Sequence, residues 1–167
     1  IGPGRQRARP MEDRLLGITS TTEPATLAFT RAYNAAYREQ LPPGEAPSAP
    51  YDSVYLLVYA LAAGAADDPG GASLARGIER LTSGEPVDVG PTNLLRGFSI
   101  LAEGKSLDLR GAFGPLDFDP KTGESSLNYA ALCARVRDGR HHFLESGLVY
   151  DAKMRAVRGD FTCRLAD

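Results

Sequence analysis

PYDSVYLLVYALAAG, residues 50–64, is the most apolar stretch of the chain, and it decides the class of fold. Its Tyr, Val and Leu side chains, at positions 51, 54, 55, 57, 58 and 61, would surround most of a helix. Such a helix has to be covered on more than one face, so we predict a buried helix from Tyr51 to about Ala66 in a layered domain. The run is shorter than the roughly 18–20 apolar residues of a membrane-spanning helix.

The segments around this helix predict a helical first part and a strand-rich last part. RLLGITST, residues 14–21, predicts a short buried strand, and Thr22 is a suitable N-cap for an amphipathic helix that extends to about Tyr37. Apolar spacing predicts further helices over residues 72–83 and 93–103. Beyond residue 104, alternating patterns predict strands, with a hairpin turn at Asp138-Gly139.

FGPLDFDPKTGE, residues 113–124, raises the question of a calcium loop, a phosphate loop or a phosphorylated aspartate. A calcium loop that starts at Asp117 would place Lys121 among the ligands, and a cation there opposes metal binding. The glycine nest of a phosphate loop is missing, and Pro120 interrupts the resemblance to a phosphorylation motif. We therefore predict a hairpin, a tight turn between two strands that is opened by Asp119 and closed by Gly123 in the left-handed conformation.

Other catalytic patterns are weak. His141 and His142 are adjacent, so a strand would direct them to opposite faces, where they cannot bind one metal ion together. Asp67 and Asp68 fall in a predicted turn after a helix, and no G-x-S-x-G nucleophile elbow occurs. We therefore predict no catalytic residue and no metal site from these patterns.

Composition limits the partners and the compartment. A net charge of −2 in 167 residues argues against nucleic acid as the main partner. Arg5, Arg7 and Arg9 fall in residues 1–13, which we predict to be a disordered or loosely packed arm. The chain begins IGPGRQRARP, without Met or signal peptide, so we expect it to be a piece of a longer protein. Cys133 and Cys163 allow either a disulfide or two buried thiols.

Taken in order, FTRAYNAAYREQ, PYDSVYLLVYALAAG, GASLARGIERL and ILAEGKSLDLRGAFGPLDFDPKTGE resemble the C-terminal part of a known family. These are the type I periplasmic substrate-binding proteins, the branched-chain amino-acid receptors of ABC importers and their relatives. The resemblance spans about Leu15 to Asp151. Its most specific parts are the Tyr51-Asp52 helix start and the hairpin of residues 111–123.

The resemblance implies an α/β fold with helices packed on a mostly parallel sheet, followed by a terminal β-hairpin region. Residues 14–167 would contribute elements to both lobes of a two-lobed protein, and the N-terminal half of the same protein would be a partner. The resemblance also implies no enzymatic activity and no cofactor. The ligand, an amino acid or a similar small polar solute, would be held by hinge closure. The implied contacts are made by Tyr51, Asp52, Thr19, Ser20 and Thr21.

The same resemblance implies a membrane permease as partner and a periplasmic or extracellular location, with a membrane-anchored lipoprotein as one form of the full-length parent. Two other functions stay open. One is an extracytoplasmic sensory ligand-binding domain of a signalling receptor, which would keep the fold. The other is a small α/β hydrolase, for which no arrangement of nucleophile, base and oxyanion donors emerges.

Overall fold

A computed structural model describes residues 15–42, 46–64, 70–137 and 140–163. These residues form two compact units. The helical unit comprises the described part of residues 22–126, and the sheet unit comprises residues 15–21 with the described part of 127–163. The predicted arm of residues 1–13, the pair Asp67-Asp68 and the predicted turn Asp138-Gly139 lie outside the described residues.

The helical unit contains four helices and two short parallel strands. The helices are α1 (Pro24–Ala36), α2 (Ser48–Ala63), α3 (Gly71–Glu79) and α4 (Leu94–Ala102). The strands are β2 (Glu85–Asp88) and β3 (Leu107–Arg110), which pair in parallel through the register Glu85↔Leu107 to Asp88↔Arg110. With α4 between them in sequence, β2 and β3 make a βαβ unit.

Apolar side chains from α2, α4, β2 and β3 form the core of the helical unit. Tyr59 of α2 is fully buried, and its ring meets Phe98 of α4 edge-on, with ring centroids 5.4 Å apart. The buried members of this core are Tyr59, Ala60, Ala63, Leu81, Val87, Ile100, Leu101, Leu107, Leu109 and Leu116. Burial of these side chains accounts for most of the hydrophobic stabilisation of the unit.

The sheet unit is a four-stranded antiparallel sheet in the order β1-β4-β5-β6. Its strands are β1 (Leu16–Ser20), β4 (Tyr129–Arg137), β5 (Arg140–Asp151) and β6 (Ala156–Arg158). The prediction of a mostly parallel sheet is therefore wrong, since parallel pairing is limited to β2 and β3 in the described part of the chain. The cause is chain connectivity: β5 begins three residues after β4 ends, and so short a connection joins antiparallel strands. The terminal β-hairpin region is confirmed.

Cys133 and Cys163 form a disulfide, which settles the alternative that the sequence leaves open. Cys133 lies on β4 and is almost completely buried. The disulfide fixes the segment after β6 to the sheet, and Thr162 adds a backbone hydrogen bond of 2.8 Å to the carbonyl of Ser146 on β5.

The turn predicted in residues 113–124 is confirmed, but the two strands of the predicted hairpin are not formed on either side of it. The carboxylate of Asp119 accepts the N–H of Lys121 at 2.8 Å, and the N–H of Gly123 donates to the carbonyl of Asp119 at 2.7 Å. Gly123 has φ 74°, the left-handed conformation that glycine adopts without steric cost. Beside the turn, Phe118 and Ser125 form a single isolated bridge, so the flanking residues do not extend into a regular two-stranded ladder.

Several helix boundaries in the structure differ from the predicted ones. Helix α1 has Glu23 rather than Thr22 at its N-cap, because Pro24 suits the first helical position. Helix α2 starts at Ser48, before the predicted Tyr51. Helix α3 ends at Glu79 instead of Ser83, because the next two carbonyls, at positions 80 and 81, accept N–H groups of β3.

Two predictions about strands are incomplete or wrong. Strand β2 is not anticipated, because EPVD contains a proline and two acids. Strand β1 forms where a strand is expected, but it is not buried: the side chain of Ile18 is 78% exposed.

Candidate functional site

Asp52 is a buried carboxylate that holds a loop in place. Its side chain is 2% exposed, and its two oxygens accept the backbone N–H groups of Ala112 and Phe113, each at 2.7 Å. Burial raises the pKa of the Asp52 carboxyl above its usual value, although the two N–H donors act in the opposite direction. Because both oxygens are engaged with backbone, Asp52 acts as a support for the loop.

The supported loop, residues 111–114, follows β3 directly. A hydrogen bond of 3.0 Å from the N–H of Gly111 to the carbonyl of Gly114 closes it. Thr26, in the first turn of α1, donates its hydroxyl to the carbonyl of Phe113 at 3.3 Å. A Cβ atom at position 111 would collide with the Asp52 carboxylate, so this close approach requires glycine. The loop is thus fixed from both α1 and α2.

A pocket of about 430 Å³, with charged residues in its wall, opens where this loop, the start of α1 and the carboxyl ends of β2 and β3 meet. Crevices beyond the carboxyl ends of parallel strands are frequent ligand sites in α/β proteins. A volume of this size falls in the range of small-molecule pockets. The lining residues are Glu23, Pro24, Ala25, Asp88, Asp108, Arg110, Gly111, Gly114, Pro115 and Asp117.

The pocket carries charges of both signs, with carboxylates in excess. Arg110 is its cation, and its Nε and Nη2 donate to one oxygen of Asp108 at 3.2 and 3.1 Å. Asp88, the last residue of β2, and Asp117, on the loop that follows β3, are exposed at the pocket wall. Ala25 presents the positive end of the α1 dipole. The arrangement can therefore bind an ammonium group at the carboxylates and a carboxylate near Arg110 and α1.

Tyr51 lies in an aromatic cluster next to Asp52. Its ring centroid is 4.7 Å from that of Phe29 and 5.0 Å from that of Tyr55. Burial, followed by a 3.5 Å hydrogen bond to the hydroxyl of Tyr55, raises the pKa of Tyr51 to about 12. A Cβ atom on Gly90 would be 3.8 Å from the Tyr51 hydroxyl, which places this phenol beside the chain that follows β2. The structure thus brings Tyr51 and Asp52 to the loops at the carboxyl ends of the parallel strands.

Thr19, Ser20 and Thr21 belong to the sheet unit, whereas the residues that line the pocket belong to the helical unit. Thr19 pairs with Ala130 and Ser20 with Tyr129 across β1 and β4. The N–H of Thr21 donates to the carbonyl of Asn128 at 2.9 Å. The ligand role that the sequence resemblance implies for these three residues stays a prediction.

The sequence patterns do not predict the charged residues of the pocket as a site. Asp88 closes a strand that the sequence does not predict, and Asp108 and Arg110 are two positions apart in β3. Since side chains two apart on a strand share a face, the D-x-R spacing was the available signal. Glu23 is remote in sequence and reaches the pocket because α1 begins beside the loop that follows β3.

A second concavity, of about 450 Å³, lies on the sheet unit and differs in chemistry. Its walls are almost wholly apolar and comprise Ile18, Tyr129, Ala130, Ala131, Leu148, Tyr150 and Val157. Although this groove is slightly larger, it has no charged side chain with which to orient a polar solute. The pocket of the helical unit is therefore the better candidate for such a ligand.

Within the described ranges, no group of three or more His, Cys, Asp or Glu side chains is placed to hold a metal ion. His142 is exposed on β5, and the side chain of His141 lies outside the described part. Of the helices that the structure describes, none is long and apolar enough to cross a bilayer. No family model, curated protein or solved structure matches this chain in the comparisons with known proteins.

Proposed function

We propose that this chain is part of a non-catalytic binding component of an ABC importer, with an amino acid or a similar small polar solute as its ligand. The observation that carries the proposal is the pocket of about 430 Å³ at the carboxyl ends of β2 and β3. Its mixed charges match a zwitterion, which presents an ammonium and a carboxylate a few bonds apart.

The charge balance of the pocket narrows the ligand class. Four carboxylate side chains, at positions 23, 88, 108 and 117, accompany one guanidinium, that of Arg110. A nearby negative charge favours a cation and disfavours an anion. We therefore expect zwitterionic and cationic solutes to bind more tightly than solutes that carry a net negative charge.

Asp52 supports a binding role without touching the ligand. It holds the N–H groups of Ala112 and Phe113, and so fixes the loop that forms one wall of the pocket. Preorganisation of this kind lowers the entropic cost of binding, since the wall does not have to be ordered when ligand arrives.

Closure of two lobes is the proposed mode of binding. The chain passes between the two compact units twice, at positions 21/22 and 126/127. A ligand that contacts both lobes would stabilise the closed state, and this state would be presented to the permease.

The disulfide supports a location outside the cytoplasm. Disulfides persist in the periplasm and outside the cell, whereas cytosolic thiols are usually kept reduced. The bond between Cys133 and Cys163 therefore agrees with a periplasmic or extracellular binding protein.

The test is calorimetric titration and thermal unfolding of the 167-residue chain with the common amino acids, their amides, small amines and dicarboxylates. A cognate ligand at 100 times its Kd should stabilise the folded state by about 2.7 kcal/mol. We expect Arg110→Gln to weaken the binding of zwitterions more than that of amines, because an amine has no carboxylate that could contact the Arg110 guanidinium. Asp117→Asn should weaken binding of both.

Arg31→Gln is the matched control, because Arg31 is exposed on α1 and is not part of the pocket lining. It should leave every affinity unchanged. Absence of any shift across the panel, or equal losses in Arg31→Gln and Arg110→Gln, would remove the support that the pocket gives to the proposal.

A further inference from the structure

One side of α2 is an apolar surface that the rest of the described chain leaves open. Val54, Leu57, Val58 and Leu61 are 60%, 49%, 37% and 47% exposed. Their spacing of three, one and three residues places them in one stripe along the helix. The sequence predicts cover on more than one face of this helix, whereas in the structure the core contacts are made by the opposite face, through Tyr59, Ala60 and Ala63.

The stripe is also free of charge. The other exposed residues of α2 are Ala49, Pro50, Ser53 and Ala62. Asp52 is the one charged residue among the sixteen of α2, and it is buried against the loop of residues 111–114. An exposed helix face normally carries charged and polar side chains, and an uncharged apolar stripe marks an interaction surface.

We propose that this stripe binds a second copy of the same chain, with the two α2 helices packed antiparallel across a two-fold axis. An axis between Leu57 and Val58 places Val54 against Leu61 of the second copy, and Leu57 against Val58 of the second copy. Each layer then pairs one valine with one leucine, so the layers have equal volume. Ser53 and Ala62 flank the stripe on its two sides, and both are small.

The pattern of side-chain size is therefore self-complementary, which a two-fold interface requires because the same patch serves both subunits. The absence of charge also matters, since two copies that meet at this stripe bring no like charges together. An acidic or basic partner would find no complementary charge on it. The observations thus favour a second copy over a charged partner.

The area of the stripe determines the strength of the dimer. Four side chains at these exposures offer on the order of 300 Å² per copy, below the roughly 800 Å² per partner of a standard stable interface. The dimer should therefore be weak and should form in a concentration-dependent way. This inference does not depend on the proposed ligand.

Sedimentation equilibrium of the 167-residue chain over a wide concentration range tests the proposal. The unmodified chain should shift from monomer to dimer as concentration rises. Leu57→Glu should raise the dimer dissociation constant by at least about tenfold, because dimerisation would then bury two carboxylates. Leu95→Glu is the matched control, because Leu95 is 77% exposed on α4, away from the stripe, and this change should leave the constant unaltered.

A distance measurement checks the geometry without a destabilising change. The two native cysteines are joined in a disulfide, so Ser53→Cys provides a single free thiol for a nitroxide label. Antiparallel packing about the proposed axis separates the two Ser53 Cα atoms by roughly 16 Å, from 1.5 Å of rise per residue and an interaxial distance near 9 Å. Parallel packing would bring them to about that interaxial distance.

A chain that stays monomeric at every concentration would overturn the proposal and assign the stripe to another occupant. The same conclusion would follow from a dimer that Leu57→Glu leaves intact, from equal losses in Leu57→Glu and Leu95→Glu, or from a label distance that fits parallel packing.

Discussion

The helical unit and the sheet unit are stabilised by different means. The helical unit buries large side chains such as Tyr59, Leu81 and Leu107 in one contiguous core. In the sheet unit, the buried side chains are small and comprise Ala130, Cys133, Ala134 and Ser146. The disulfide and the antiparallel strand pairing take a larger share of stabilisation there.

Because of this difference, we expect precise side-chain geometry to be maintained better in the helical unit than in the sheet unit. A polar pocket needs rigid walls, and the one proposed for ligand binding is in the unit that has the large packed core. Two changes should affect the units differently. Loss of a buried polar support should lower the free energy of unfolding of the helical unit, and loss of the disulfide should lower that of the sheet unit.

The largest effect is expected from Asp52→Ala. It leaves the N–H groups of Ala112 and Phe113 without their acceptors, and each unpaired buried donor costs about 1–3 kcal/mol. We expect the free energy of unfolding of the helical unit to fall by about 4 kcal/mol. Native-state hydrogen exchange should show the loss in α2 and β3, with β4 and β5 little affected.

Asp119→Ala is the matched control for Asp52→Ala. Asp119 also accepts a backbone N–H, that of Lys121 at 2.8 Å, but it is exposed, so water can replace it. We expect a loss of about 1 kcal/mol or less. Equal losses in the two variants would contradict the conclusion that burial makes Asp52 essential.

Acidic pH should change the stability of the helical unit through the carboxyl group of Asp52. Since the folded-state pKa of Asp52 is raised, the folded state binds this proton more tightly than the unfolded state does. The contribution of Asp52 to stability is therefore greatest below its unfolded pKa and decreases as pH rises through the folded pKa. Asp52→Asn should remove this pH dependence, which denaturant unfolding at a series of pH values would measure.

The next largest effect is expected when both cysteines are replaced by alanine. The disulfide closes a loop with a sequence separation of 30, and the loop-closure relation gives about 3.5 kcal/mol for that length. Hydrogen exchange should show lost protection in β4 and β5, while protection in α2 is retained. Equal loss of protection in both units would contradict the comparison and show that they unfold together.

The sequence predicts local features better than it predicts pairings. The four helices are recognised because their apolar spacing is written in consecutive residues, and the turn at Asp119 to Gly123 because its chemistry is local. Strand β2 is missed because EPVD has the composition of a loop. The prediction of a mostly parallel sheet is wrong because it follows from the family resemblance, whereas the short connections between the last strands favour antiparallel pairing.

The site is predictable only in part, for the same physical reason. Tyr51 and Asp52 are found as a distinctive helix start, but the acceptor role of Asp52 depends on N–H groups 60 and 61 residues further along the chain. The charges of the pocket come from α1, β2, β3 and the loop after β3. No local pattern in one sequence contains that arrangement.

The smallest expected effect on stability is that of Tyr51→Phe, in the helical unit. At neutral pH, Tyr51→Phe removes one hydrogen bond of 3.5 Å, which is worth about 0.5 kcal/mol or less. In alkali the effect is clearer: because the folded pKa of Tyr51 is about 12, above the value of 10.0 for a free phenol, its protonated form favours folding. That contribution is complete below pH 10 and is lost as pH rises through about 12.

Phenolate absorbance after a rapid pH jump, read before unfolding, would measure this titration. Tyr51→Phe should reduce the amplitude of the late, high-pH part of the curve. Tyr37→Phe is the control, since Tyr37 is 59% exposed at the end of α1, and it should leave the late part in place. An unchanged late part in Tyr51→Phe would mean that the phenol is solvated, and that the aromatic cluster beside Asp52 is looser than the contacts with Phe29 and Tyr55 indicate.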